Sequence, residues 1–423
     1  MKAILTLLII TTITSATAQI KFEDYFTDNT LRLNYIIAGN KDSCEIFFNS
    51  FKQQGQWGGR TNKLDTTQNY GEYLLEVYCQ KDGKKIYCHQ YKTLFHEWQT
   101  TPQAAVEKHA YRECAIMPTP KQKATITISK RNKNLQFVQK LKIIFDPQSY
   151  FTNIDNPTSY NIEKIITNGN PKQKIDIVFL PEGYTQDQLS TFLNTVKSFT
   201  NKLFSVEPYK SNKSKFNVSA ILAPSNESGC DQPCIGVWKN TLLDFSFSTF
   251  DMERYLATEN YWAVCDLASL VPYDQIIILC NTKKYGGGGI YNFYSAFAAA
   301  NKYSPDILIH EFGHAFAGLG DEYEGDVTYQ DFQQQKIEPI SPNLTTLTNF
   351  HSKWANLIDK NTPIPTPINF GTPQTLGAFV GGGYAKDGVF RPQKNCIMHD
   401  LETKEYCKVC FKTILETINL LSQ

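Results

Sequence analysis

The sequence predicts an α+β multidomain protein, in which an N-terminal β-sandwich precedes an α/β domain. Three observations carry that expectation. Residues 19 to 155 hold several short apolar runs separated by turn residues, the pattern of a sandwich. From Ile175 onward, buried-strand patterns alternate with helical ones, as in α/β domains. Between them, residues 147 to 173 are rich in Asn, Pro, Ser, Thr and Lys, the composition of a linker, which is set at 156 to 173. The second domain then runs from 174 to 423.

The chain has 423 residues, enough for two or three domains of ordinary size, and its hydrophobic content of 41% supports globular cores. A net charge of +1 leaves no basic field of the kind that binds nucleic acid. At the N-terminus, Met1-Lys2 is followed by an apolar run from Ile4 to Ile13 and then by Ala16-Thr17-Ala18. That order of charge, apolar core and small residues predicts a signal segment over residues 1 to 18, cleaved after Ala18, and a secreted or periplasmic mature protein. The run is too short to cross a bilayer, and no later stretch reaches the roughly 18 uncharged apolar residues that a membrane helix needs, so no membrane span is expected.

Eleven cysteines in an exported chain imply some disulfides, with at least one thiol left over. Cys79 and Cys88 flank the Asp82-Gly83 turn and are placed to face each other across a hairpin. Cys230 and Cys234 share a loop. Cys396, Cys407 and Cys410 cluster late in the chain. A Cys-x-x-Cys pair such as Cys407/Cys410 can serve redox or metal chemistry, but with no second such pair a structural role is expected.

Along the first region, Tyr73 to Tyr78 and Lys85 to Tyr87 read as strands around a turn. Ala124 to Ile128 alternates as a half-buried strand does, and Leu141 to Phe145 is another apolar stretch. His89, His96 and His109 are scattered and read as packing or surface side chains. In the second region, Ile175 to Leu180 is a buried-strand pattern. A helix is predicted from Gln186 to Leu203, with apolar Leu189, Phe192, Leu193, Val196 and Phe199. Phe216 to Leu222 and Ile276 to Cys280 are further strands.

Residues Ser304 to Gly318 read as one helix, capped by Ser304 and opened by Pro305. Ile307, Leu308, Ile309 and Phe312 bury it. Within it stands His310-Glu311-Phe312-Gly313-His314. Two histidines four residues apart lie on one helix face and can grip one ion, and zinc accepts neutral imidazole. Glu311 is rotated off that face, where it can address a water instead of the metal. A pair of core histidines bonded to carbonyls is the bland alternative, and burying two His and a Glu without partners argues against it. A catalytic zinc usually has three protein ligands. Were the helix to run on to Asp321, that residue would lie roughly 10 Å along the axis from His314. The chain must therefore turn back, and Gly318 is placed to end the helix. Asp321 then becomes a candidate third ligand, with Glu322 as its competitor and a solvated acidic loop as the alternative to both.

The segment His-Glu-Phe-Gly-His-Ala-Phe-Ala-Gly-Leu-Gly-Asp-Glu-Tyr, residues 310 to 323, closely resembles the zinc-site segment of the IgA-peptidase family of metallopeptidases. Val178 to Thr185, Ser225 to Gly229 and Tyr285 to Gly289 fit the same family, and Leu31 to Gly39 resembles the start of the sandwich that precedes its peptidase domain. The resemblance spans nearly the whole mature chain. It implies a zincin-like, metzincin-related catalytic domain with one catalytic zinc. In metzincins a glycine stands three residues and the third ligand six residues after the second His; here Gly318 is four and Asp321 seven residues on. The preserved glycine-to-ligand spacing favours Asp321. Asn395 to Asp400 resembles the methionine turn, with Met398 packing beneath the ligands as a soft apolar base. His399, beside it, reads as bonded to backbone. Asp400 stands where some metzincins carry a tyrosine that assists the zinc, so Tyr384 and Tyr323 become candidates for that role. Gly287 and Gly288, within the glycine run 286 to 289, are candidates for a mobile substrate rim; no Gly-Lys-Ser/Thr follows to make a phosphate loop.

The resulting expectation is a secreted zinc endopeptidase cleaving peptide bonds in protein or peptide substrates. His310, His314 and Asp321 hold the metal, and Glu311 serves as base for attack of a zinc-bound water. Two rivals are a zinc hydrolase of small amides or acyl groups, and a non-catalytic binding or adhesion protein. The sandwich is free to contact glycan or protein, or to brace the catalytic domain.

Overall fold

A computed structural model describes residues 20–325 and 336–422. The expected signal segment, residues 1 to 18, lies outside those residues. The strands, in chain order, are β1 (Phe26–Gly39), β2 (Cys44–Gln56), β3 (Tyr73–Cys79), β4 (Lys85–Tyr91), β5 (His109–Pro120), β6 (Ala124–Arg131), β7 (Phe137–Phe145) and β8 (Asn153–Ile154) in the first half. They form two four-stranded sheets, ordered β5-β1-β2-β8 and β4-β3-β6-β7. Leu31, Leu33 and Tyr35 of one sheet share a core with Leu75, Val77, Ile126 and Ile128 of the other. Short helices α1 (Phe22–Tyr25) and α2 (Leu94–Gln99) flank the strands. His89 stacks on Tyr91 and His109 on Trp98, while His96 lies 3.7 Å from Glu72.

The second half is built on a six-stranded sheet from β9 (Asn161–Ile166), β10 (Ile175–Glu182), β11 (Phe216–Leu222), β12 (Gln275–Cys280), β13 (Gly287–Ile290) and β14 (Tyr294–Ala298), ordered β13-β14-β12-β10-β11-β9. Its four inner strands are parallel, and β13 and β9 close the edges antiparallel. Such a sheet is buried on both faces, and every residue of β10 is buried for that reason. Alternate residues serve different cores. Ile177 and Phe179, with Ile277 and Leu279, pack against α3 (Leu189–Leu203), α5 (Ser304–Ala317) and α6 (Lys408–Leu421). Val178 and Leu180, with Ile276 and Ile278, join the same apolar cluster as the sandwich and as Val264 and Leu267 of α4 (Tyr261–Ala268). Polar contacts reinforce that seam: Trp262 Nε1 donates to Glu113 O at 2.8 Å, and Arg32 meets Asp266 at 2.7 Å. A small hairpin, β15 (Phe379–Gly382) and β16 (Ala385–Arg391), completes the fold.

Several expectations are corrected. The Asn- and Pro-rich stretch is not bare linker: β8 pairs with β2 and β9 with β11, because an edge strand needs backbone pairing more than apolar side chains. Ser304 does not cap α5. It lies inside the helix, and its hydroxyl donates to Ala298 O and Asn301 O instead of accepting from the first turn. All eleven cysteines stand as free thiols, ten of them buried, so the expected disulfides are not formed. The hairpin register explains one pair: Cys88 faces Glu76, leaving Cys79 beyond Tyr78 at the turn. Cys230 lies beside Cys280, while Cys234 is exposed.

One face of the central sheet and the sandwich bury each other, so neither half keeps its core alone. A single calorimetric unfolding transition is expected for the whole chain. Two well-separated transitions would show that the halves fold independently.

Candidate metal centre and active site

Helix α5 carries the two histidines because their spacing of four matches one turn, and it stops where the sequence demands. Gly318 takes the left-handed conformation (φ 64°), and its N–H closes back on His314 O. The chain then reverses and brings Asp321 Oδ1 to 3.0 Å from His310 Nε2 and 3.2 Å from His314 Nε2. The two Nε2 atoms are 3.1 Å apart. Each imidazole is fixed from behind: His310 Nδ1 donates to Ile397 O at 2.9 Å and His314 Nδ1 to Leu319 O at 2.6 Å. With Nδ1 carrying the proton, each neutral ring aims the Nε2 lone pair at the carboxylate oxygen. With both rings neutral, three lone pairs thus converge, which is repulsive unless a metal ion, or in its absence a proton, stands among them. The set fits a divalent metal with nitrogen and oxygen ligands.

Glu322, the sequence's other candidate, points the opposite way and is fully buried among cysteines. Met398 is also fully buried, and a Cβ on Gly313 would come within 3.0 Å of its Sδ. The bare glycine between the two histidines is what lets the thioether reach the helix. Met398 O accepts from Glu322 N at 2.8 Å, so one turn supports both the helix and the acidic loop. His399 is not in the converging group; its N–H bonds Cys396 O.

Tyr384 and Tyr323 both reach the site. Tyr384 OH donates to Asp321 Oδ2 at 2.6 Å, and the two hydroxyls are 3.2 Å apart. Tyr323 also lies nearly parallel to His310. Tyr384 holds a positive φ of 66°, uncommon for an aromatic residue. Backbone bonds on both sides enforce it, Gly383 N to Asp321 O and Tyr384 N to Tyr323 O.

Glu311 flanks the histidines. Burial raises its pKa, and the neighbouring imidazoles pull it back. Gly287 to Gly289 of the glycine run lie in the edge strand β13, which packs against α5. A Cβ at Gly289 would fall 2.2 Å from Glu311 O, and one at Gly287 would crowd Phe297, so the run serves close packing. Gly288 faces Tyr255 instead. Two residues that sequence reasoning missed come in here: Arg254 and Tyr255 interact electrostatically with Glu311. Their loop is anchored by Glu182, which accepts from Thr241 Oγ1 at 2.5 Å and from the N–H groups of Leu243 and Phe245, each at 2.9 Å. Burial lifts that carboxyl to about 7 against those bonds.

Two family models match the chain. One, described as IgA Peptidase M64, matches residues 163–372 and 368–418. The other, described as Peptidase M64 N-terminus, matches residues 21–142. Comparison with curated proteins finds no match.

In the metal-free protein burial disfavours a charged His310, but Asp321 overrides it and raises the imidazole to about 9. Its folded pKa thus exceeds the ordinary 6.5, so the pair's stabilisation is complete below about 6.5 and is lost as pH rises through about 9. Between those limits the melting temperature of chelator-treated protein should fall more steeply than that of Asp321→Asn. Equal slopes would remove this ion pair from the account.

Proposed function

Because the chain belongs to the IgA peptidase M64 family, and a member of that family is a metallopeptidase acting on protein, we propose that it is an exported zinc endopeptidase with a zincin-like, metzincin-related catalytic domain. The observation that carries the reading is the convergence of His310 Nε2, His314 Nε2 and Asp321 Oδ1 within 3.0 to 3.2 Å beside Glu311. These three side chains would hold one zinc ion. When bound, the ion supplies a Lewis acid that polarises a carbonyl and acidifies water.

The remaining work falls to the chain. The Glu311 carboxylate accepts a proton from the attacking water as its oxygen bonds the scissile carbonyl carbon. It then delivers that proton to the departing amine nitrogen as the C–N bond breaks. Its upward-shifted pKa suits both halves of that transfer. Tyr384 holds the second oxygen of Asp321 and so aims the first. β13 ends its sheet beside α5, and its outer edge can pair with an extended peptide backbone. That edge favours protein substrates over small amides. Export rests on the charge, apolar run and Ala-x-Ala order of residues 1 to 18. The family's name does not fix immunoglobulin as the substrate.

Glu311→Gln should cut casein cleavage by at least about 10²-fold while zinc stays bound; a variant cleaving at the normal rate would remove Glu311 as base. His314→Ala should lose the ion from this centre, and retention of that ion would exclude His314 as a ligand. Tyr384→Phe should weaken zinc retention roughly 10- to 100-fold in a chelator competition, and unchanged retention would leave Tyr384 without a positioning role.

A further inference from the structure

Behind the catalytic centre lies a second cluster that the mechanism does not use. Glu322, Cys396, Cys407 and Cys410 are all buried, and each offers a ligand atom within 4.8 Å of the others. We propose that they form a second, structural metal site, in which three thiolates and one carboxylate hold a zinc ion tetrahedrally. The distances suit it. Cys396 Sγ and Cys410 Sγ are 3.8 Å apart, and a tetrahedron with Zn–S arms of about 2.3 Å has an S–S edge of about 3.8 Å. Glu322 Oε1 lies 3.1 Å from Cys410 Sγ and 3.7 Å from Cys407 Sγ. Its other oxygen, Oε2, is buried with no hydrogen-bond partner. A buried carboxyl oxygen left without a partner beside three thiols is an open ligand position for a cation.

The surroundings are those of metal thiolates. Cys407 N donates to Cys396 Sγ at 3.3 Å and Cys410 N to Cys407 Sγ at 3.5 Å, so the opening turn of the 14-residue α6 points its amides at sulfur. Asn343 donates to Glu322 Oε1 at 2.9 Å. These groups offset the negative charge of three thiolates and a carboxylate around one divalent ion. A disulfide would consume two thiols and strand the third beside a buried acid. The sequence argument against metal at Cys407/Cys410 required a second Cys-x-x-Cys pair; the fold supplies Cys396 and Glu322 in its place. The site ties three segments into one knot: the acidic loop one residue past Asp321, the turn two residues before Met398, and the start of α6.

The full chain, purified without chelator, should contain two zinc ions by elemental analysis. The double variant His310→Ala/His314→Ala should keep one. Cobalt-loaded wild type should show near-ultraviolet thiolate-to-cobalt charge-transfer bands, and these should persist in the double variant. Cys407→Ser/Cys410→Ser should lose those bands; because that variant can misfold, the wild-type spectrum stands as the independent readout. One ion in wild type and none in the double variant would overturn the second site while leaving the catalytic reading intact. One ion with thiolate bands in both proteins would do the reverse. A disulfide-linked peptide joining two of the three cysteines in unreduced digests would also overturn the second site.

Discussion

The structure turns on two hydrogen bonds that look minor, those from His310 Nδ1 to Ile397 O and from His314 Nδ1 to Leu319 O. They set the tautomer of each ring and so decide that both Nε2 lone pairs face Asp321. Neither carbonyl is free to wander. Ile397 belongs to the turn whose next residue, Met398, packs under Gly313, and Leu319 follows the glycine that ends α5. The rings are aimed by backbone that the apolar core has already fixed, because Ile397, Met398 and Leu319 are all in the cluster that covers one face of the central sheet.

That dependence explains the strain at Tyr384. A residue there presents its hydroxyl to Asp321 Oδ2 while its backbone pairs with the acidic loop, and it meets both demands at a positive φ. Such a conformation costs of order 1–3 kcal/mol and persists where neighbours over-determine it. Here the loop from Asp321 to Gly325 and the β15–β16 hairpin do so through three backbone bonds, from Gly383, Tyr384 and Gly325.

What the sequence made legible followed from locality. The histidine pair needed only helical spacing, and the return of Asp321 needed only a helix stop at Gly318. Met398 and the two tyrosines came through resemblance, not through any local pattern. Arg254 and Tyr255 were invisible because they approach on a loop held by Glu182, which lies far upstream of its bonding partners in that loop. The strand made by Gly287 to Gly289 was not legible because glycine is poor in strands on propensity alone; what selects it is the helix backbone pressed against Gly289, a tertiary fact. Cysteine pairing failed for a similar reason, since register moved Cys88 opposite Glu76.

The choice between Asp321 and Glu322 as a third ligand treated neighbours as rivals. Consecutive residues on a non-helical stretch can point to opposite sides, and this loop runs between the histidine helix and the cysteine pocket. Asp321 therefore turns to imidazole and Glu322 to thiol, with only one peptide unit between them. The Met398 carbonyl clamps the N–H of Glu322, so the loop cannot shift to serve one side without disturbing the other. A cation among the cysteines would thus fix the position of Asp321 from behind, and the hard nitrogen–oxygen set and the soft sulfur set would share one stretch of backbone. On this argument the acidic pair is a hinge between two sites of different chemistry, and neither carboxylate can replace the other.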